Sequence, residues 1–75
     1  MRTEDLRPGV VVHVGREASV QFTNGEIDFR IIRTGPPTAY AGWQWLSGYQ
    51  LNQTGDAVER RDIFVQPEGL RPVPP

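Results

Sequence analysis

The chain has 75 residues, which leaves room for one domain with one hydrophobic core. It has no cysteine, so disulfides and thiolate metal sites are excluded, and its single histidine, His13, cannot form a zinc site alone. Eight arginines and nine acidic residues give a net charge of −1, which excludes a strong overall attraction to nucleic acid or anionic lipid.

The chain shows no sequence signal for a membrane. Residues 1–7 are polar and no apolar run approaches the length of a membrane span, so we expect a cytoplasmic protein without membrane contact. A domain of this size buries only about 60% of the surface that its unfolded chain exposes, and no covalent staple supports it. We therefore expect one domain over residues 1–75 that associates with a partner or with a second copy, and whose ends, 1–6 and 71–75, are flexible.

The first predicted element is a β-strand over residues 10–14. A Pro8–Gly9 turn precedes it, and its four valines favour an extended backbone. His13 falls on the opposite face from Val12 and Val14, so we interpret it as a half-exposed structural residue rather than a catalytic one.

The pair Asn24–Gly25 predicts a type I′ turn, because both central residues of that turn need positive φ. A two-residue loop places the apolar side chains of the two flanking strands opposite one another on one face, with polar residues on the other. The predicted apolar pairs are Phe22 with Ile27, Val20 with Phe29, and Ala18 with Ile31.

A proline-rich loop over residues 34–39 leads into an aromatic segment, 40–52, that holds four of the seven aromatic residues. A turn at 53–56 and a strand at 57–65 then complete a second predicted hairpin. Gly48 marks a bulge or a sharp bend in it. Within the aromatic segment one strand parity carries a large side chain at four positions: Trp43, Trp45, Tyr49 and Leu51.

The end of the chain departs from simple alternation. Ile63, Phe64 and Val65 are consecutive apolar residues, which indicates a strand end that is covered on both sides, as where a barrel closes. Residues 67–70 predict one 3-10 turn, and residues 71–75 form a short tail similar to polyproline.

This order of elements resembles the SH3-like barrel group that includes Tudor and KOW modules. The resemblance covers nearly the whole chain and implies an all-β fold, a single five-stranded barrel with two main hairpins and a 3-10 turn near the C-terminus. The fold hosts many functions and does not choose among them.

Residues 48–51 and 55–59 also resemble the plasmid-encoded type II dihydrofolate reductases, which are SH3-like chains that act as homotetramers. The family's active-site Val-Gln-Ile-Tyr stretch is not present, since the corresponding region reads Ile63-Phe64-Val65-Gln66. A small oligomeric reductase is therefore kept only as a remote alternative.

No phosphate-binding glycine loop, paired cysteine motif, HExxH motif or nucleophile elbow occurs. We therefore expect no enzyme activity, no catalytic residue, no metal and no cofactor. Aromatic side chains flanked by arginine can bind peptides, cations or bases, so the second hairpin is the candidate site. The predicted binding residues are Tyr40, Trp43, Trp45, Tyr49, Arg60 and Arg61.

Two functions follow from this site. The first is a protein-interaction or self-association module that uses the aromatic and arginine residues. The alternative is a nucleic-acid-binding accessory domain, in which arginines contact phosphates and aromatic rings stack on bases. Trp43 and Trp45 are also the largest available core residues, so the sequence leaves open whether each is buried or exposed.

Overall fold

The computed structural model describes residues 1–74 and consists of five strands and three 3-10 helices. The prediction of an all-β fold with five strands is confirmed. Within the described residues no helix is long and apolar enough to cross a membrane. The strands are β1 (Val11–Val14), β2 (Ile27–Thr34), β3 (Gln44–Leu51), β4 (Ala57–Val65) and β5 (Arg71–Pro72), and the 3-10 helices are Thr3–Asp5, Val20–Phe22 and Pro67–Gly69.

The five strands form one antiparallel sheet in the order β4-β3-β2-β1-β5. The two edge strands are β4 and β5, and among residues 1–74 no backbone ladder joins them, so the sheet is not closed into the predicted barrel. β5 has only two residues, and one of them, Pro72, has no N–H with which to extend a ladder.

The core lies on one face of the sheet, here called the inner face. Alternate residues of each strand point to it, because the side-chain period of a strand is two. The 3-10 turns and the connection between β1 and β2 add further apolar side chains to the same core. The buried hydrophobic residues are Leu6, Val12, Val14, Ala18, Phe22, Phe29, Ile31, Leu46, Ile63, Val65 and Leu70.

The predicted hairpin at Asn24–Gly25 is wrong. β2 pairs instead with β1, with Val12 opposite Phe29, and neither residue of the Asn-Gly pair has positive φ. The segment Val20–Phe22 is a 3-10 helix whose N-cap, Ser19, accepts a hydrogen bond from the Gln21 N–H.

The 3-10 turn has a physical reason. It buries Phe22 in the core and leaves Val20 exposed, whereas a strand would place both side chains on the same face. Burying the larger side chain stabilises the fold by more than the local turn preference does.

The predicted second hairpin is confirmed. β3 pairs with β4 along its whole length, with Leu46 opposite Ile63 on the inner face. In the turn between them Gly55 has φ of 87°, a backbone conformation that glycine adopts without strain. The Asn52 Oδ1 accepts hydrogen bonds from the N–H groups of Thr54 and Asp56, at 3.0 and 2.9 Å.

The predicted irregularity at Gly48 is also present, although the extra residue lies on the neighbouring strand. The register of β2 against β3 shifts between Ile31 and Arg33, where Gly48 lies opposite Ile31. A Cβ at Gly48 would overlap the carbonyl oxygen of Arg30, so only glycine allows this close approach of the two backbones.

The 3-10 turn predicted near the C-terminus is confirmed at Pro67–Gly69, and the first residue of the chain lies near it. The N-terminal amine donates to the Pro67 carbonyl at 2.7 Å, and Leu6 is buried. Within the tail predicted at 71–75, β5 pairs with β1, with Arg71 opposite His13, while position 75 lies outside the described residues. The flexibility of both ends stays a prediction.

Candidate functional site

Five of the six predicted site residues, all except Arg61, lie on or beside the outer face of the sheet, the one opposite the core. In β3, Leu46 is buried on the inner face, so Trp45 on one side of it in sequence points outward, as does Tyr49. Directly opposite residues of an antiparallel pair share a face, which places Phe64 beside Trp45 and Arg30 beside Tyr49.

Phe64 is the centre of an aromatic cluster. Its ring centroid lies 4.9 Å from that of Trp45, 5.1 Å from that of Trp43 and 6.3 Å from that of Tyr40. The Trp43 ring is stacked on Phe64 and the Tyr40 ring meets its edge, which are the two preferred geometries for aromatic pairs. We call these four residues, Tyr40, Trp43, Trp45 and Phe64, the aromatic cluster.

The sequence did not single out Phe64 as a site residue. The sequence pattern that bears on Phe64 is the run of three apolar residues at 63–65, which indicates a strand end covered on both faces. The structure shows that Ile63 and Val65 are buried in the core, while Phe64 is half-buried on the other face under the aromatic rings. The cover on the outer face is thus the aromatic cluster and not a closed barrel.

The exposure of the cluster answers the question that the sequence left open for the tryptophans. Trp45 is 43% exposed and Tyr40 is 68% exposed, and Trp43 is half-buried. Neither tryptophan belongs to the buried core. An exposed group of large rings on one face of a small domain is the kind of surface that proteins use for contact.

The loop before β3 holds the cluster in place through hydrogen bonds. The Gly35 N–H donates to the Trp45 carbonyl at 2.8 Å, which continues the ladder by one residue beyond β2. The Gln44 side-chain amide donates to the Gly35 carbonyl at 3.0 Å. At the other end of the loop the Trp43 N–H donates to the Tyr40 carbonyl at 3.1 Å, so both rings lie at the ends of a tight turn.

A groove of about 460 Å³ adjoins Trp45 on the outer face. Its walls come from β2, the proline-rich loop and the second hairpin, and they include Arg33, Pro36 and Asp62. The groove combines apolar lining residues with charged residues of both signs. It therefore extends the aromatic cluster with polar groups that a protein partner can bind.

Tyr49 and Arg60 form a second group further along the outer face. The two residues lie directly opposite each other in β3 and β4, and the Arg60 guanidinium carbon is 6.0 Å from the centroid of the Tyr49 ring. This distance is at the limit of a cation–π interaction. Tyr49 is half-buried and Arg60 is exposed, so the arginine is accessible from solvent.

Arg61 is separated from the other predicted site residues, because it is the next residue along the strand and points to the inner face. Its guanidinium carbon lies 5.4 Å from the centroid of the Phe22 ring, and its Nη1 donates to the Gln50 Oε1 at 2.9 Å. Its Nε is 3.5 Å from a carboxylate oxygen of Glu59. These contacts give Arg61 a structural role at the margin of the core.

The remaining charges of the outer face lie on β1 and β2. Arg30 and Arg33 share this face with Arg60, and within residues 1–74 no carboxylate oxygen lies within 4.0 Å of their guanidinium nitrogens.

His13 and Asp28 are also on the outer face. The hydrogen bond to Asp28 raises the pKa of the His13 imidazole above 6.5, against a smaller opposing effect of burial.

The described residues contain no group of three metal-ligating side chains. Comparison of the chain with protein-family models, with curated proteins and with solved structures gave no significant match. The resemblance to the SH3-like group therefore stays a prediction, and the function is argued from the geometry of the site.

Proposed function

We propose that the chain is a non-catalytic protein-interaction module that contacts its partner through the aromatic cluster. The observation that carries this proposal is the exposure of Trp45 and Tyr40 around the half-buried ring of Phe64. Tryptophan and tyrosine dominate the binding energy of protein interfaces, because they bury a large area with few rotatable bonds. The cluster is already ordered by the loop before β3, so binding does not require these rings to be immobilised.

The surroundings of the cluster define the chemistry of the partner. Two charged residues of opposite sign, Arg33 and Asp62, line the adjoining groove. A partner surface with an apolar centre and charges of both signs at its rim is complementary to this groove and to the aromatic cluster.

The proposal includes the cytoplasmic location that the sequence predicts. Fractionation of cells that express the chain tests this location.

Two single substitutions test the use of the cluster. Immobilised wild-type protein is compared with Trp45→Ala and Tyr40→Ala in capture from a lysate of the host cell, followed by identification of the retained proteins. Val20→Ala is the matched control, because Val20 is a 79% exposed apolar residue that lies outside the cluster. We expect a partner that wild type and the control retain and that both cluster variants lose.

The proposal is contradicted if folded Trp45→Ala and Tyr40→Ala proteins retain every partner of the wild type. Circular dichroism of each variant establishes that it is folded. Trp45 and Tyr40 are both largely outside the core, so truncation is expected to leave the fold intact.

A second function is favoured by one specific observation, the concentration of Arg30, Arg33 and Arg60 on the face that also carries Tyr49. Unpaired arginines next to an aromatic ring are the groups that bind single-stranded nucleic acid, through phosphate contacts and base stacking. Titration with single-stranded and duplex oligonucleotides over a salt series tests this function. Binding at low salt that weakens steeply with added salt supports it, and no binding at low salt excludes it.

A further inference from the structure

Of the two edge strands in the described part of the chain, β4 is the longer. β4 has nine residues, Ala57–Val65, and pairs with β3 on one side only. The other edge, β5, has two residues. A long edge strand presents a row of free N–H and C=O groups to which another strand can pair.

The side chains of β4 decide which strand can pair there. The outward-facing residues are Arg60, Asp62 and Phe64, and the residue at the bulge, Val58, is 57% exposed. Charged residues on an edge strand usually oppose pairing with other chains. In β4, however, the two charges on the outer face have opposite sign and lie two residues apart, so the strand is complementary to a second copy of itself when the two run antiparallel.

We propose that two copies of the chain form a dimer by antiparallel pairing of β4 with β4, with the two-fold axis at Arg61. In this register Arg60 of each copy lies opposite Asp62 of the other, and directly opposite charges of unlike sign stabilise a strand pair. Val58 lies next to Phe64 of the other copy, so an exposed apolar side chain is covered. The two sheets then form one continuous sheet with both aromatic clusters on the same face.

The neighbouring registers are less favourable. With the axis at Arg60, two exposed guanidinium groups face each other and Val58 lies opposite the carboxylate of Asp62. With the axis at Asp62, two carboxylates face each other. The axis at Arg61 also brings two arginines together, but each of these is already held by Glu59 and Gln50 of its own chain, away from the outer face.

Dimer formation at the β4 edge is distinct from the proposed partner binding, because it uses the backbone of the edge strand and its occupant is a second copy of the chain. The two proposals can fail separately. Trp45→Ala removes a ring of the aromatic cluster without touching the opposite charges of β4, so we expect this variant to lose the partner and to keep the dimer.

A charge exchange tests the dimer and its register. Sedimentation equilibrium is expected to show a dimer for wild type, and at least about a tenfold increase in the dimer dissociation constant for Arg60→Asp and for Asp62→Arg. The double variant R60D/D62R restores the opposite pairs and is expected to recover the wild-type constant. A wild type that stays monomeric up to its solubility limit overturns the proposal, and so does a dimer that the single variants leave unchanged.

A cross-link provides a second test that does not depend on the charges. The chain has no cysteine, so a single introduced thiol reports one position. Opposite residues of an antiparallel pair have Cα atoms about 4.5–5.5 Å apart, which is within the range of a disulfide. Arg61→Cys is therefore expected to oxidise to a covalent dimer much faster than Thr54→Cys, a control in the exposed hairpin turn. Equal rates for the two variants overturn the proposed register.

Discussion

His13 and Asp28 lie directly opposite each other in β1 and β2, and the imidazole Nδ1 is 2.8 Å from the Asp28 Oδ1. The other ring nitrogen, Nε2, is 3.6 Å from a carboxylate oxygen of Glu26. The hydrogen bond to Asp28 makes the largest contribution to raising the pKa of His13 from 6.5, and both carboxylates add to it by charge attraction. The folded chain thus holds the imidazole proton more strongly than an isolated histidine does.

This pair predicts a pH dependence of stability. The folded-state pKa of His13 is higher than the unfolded value of 6.5. The contribution of the protonated imidazole to the free energy of unfolding is therefore fully present below pH 6.5, and it is lost as the pH rises through the folded-state pKa. Urea unfolding is therefore expected to give a higher free energy of unfolding just below pH 6.5 than well above it. Because the chain has one histidine, its ring proton resonances report the folded pKa directly by NMR.

The control for this prediction is Asp28→Asn, which keeps the shape of the side chain and removes its charge. The pKa of His13 is expected to fall toward its ordinary value in this variant, and the pH dependence of unfolding above pH 6 is expected to shrink. An unchanged His13 pKa in Asp28→Asn contradicts the role of the pair.

Gly48 provides a prediction about the close approach of β3 to β2. Gly48→Ala places a Cβ against the Arg30 carbonyl oxygen and about 2.8 Å from the Phe29 ring, neither of which can move easily inside the sheet. We expect a loss of about 2–3 kcal/mol in the free energy of unfolding, measured by chemical denaturation.

Gly25→Ala is the matched glycine control. A Cβ at Gly25 meets no atom within 4 Å, and its φ is not in the left-handed region. Its stability is expected to lie within about 0.5 kcal/mol of wild type. A loss at Gly25 comparable to that at Gly48 contradicts the chain path described for residues 23–26, because a type I′ turn there requires positive φ.

The contrast between these two regions explains how far the sequence predicts the fold. The second hairpin is predictable because its evidence is local: alternating inner residues such as Leu46, Ile63 and Val65, joined by a short turn with a glycine. The same alternation places Trp45 and Tyr49 on one face of β3, although it does not show whether that face is buried or exposed. The structure shows that this face is the outer one and that Arg60 lies on it.

The first connection is not predictable in this way, because distant residues hold it. The Gln66 N–H donates to the Ala18 carbonyl at 2.7 Å, and Gly69 approaches the Glu17 carbonyl so closely that a Cβ there would overlap it. These contacts join residues that are far apart in sequence and bury Ala18 beside Phe22. The local turn preference of Asn24–Gly25 is small in comparison. The structure separates Arg61 from the other predicted site residues, because adjacent residues of a strand point to opposite faces and Arg60 is the one that lies opposite Tyr49.

Asn52 provides a prediction about the turn between β3 and β4. Its Oδ1 accepts from two backbone N–H groups and from the Thr54 hydroxyl, the last at 2.8 Å, so one side chain organises the turn. Asn52→Ala is expected to lower the free energy of unfolding by about 1–2 kcal/mol. Asn24→Ala is the matched control, since within residues 1–74 the Asn24 side chain makes no hydrogen bond, and it is expected to stay within about 0.5 kcal/mol of wild type.

Phe64 provides the last prediction, which separates the structural role of the aromatic cluster from its binding role. Phe64→Ala removes the ring that Tyr40, Trp43 and Trp45 contact, so both indoles lose a packing partner and become more exposed to water. We expect a loss of about 2–4 kcal/mol in the free energy of unfolding and a red shift of the tryptophan fluorescence in the folded state.

Trp45→Ala is expected to behave differently, because its ring lies on the outside of the cluster and truncation leaves Phe64 covered by Trp43. Its stability loss should be less than half of that at Phe64, while its effect on partner binding should be at least as large. The two substitutions thus differ in the ratio of stability loss to binding loss. A Trp45→Ala variant that is as unstable as Phe64→Ala would mean that the exposed indole is held mainly for packing, and the aromatic cluster would then lose its standing as a binding surface.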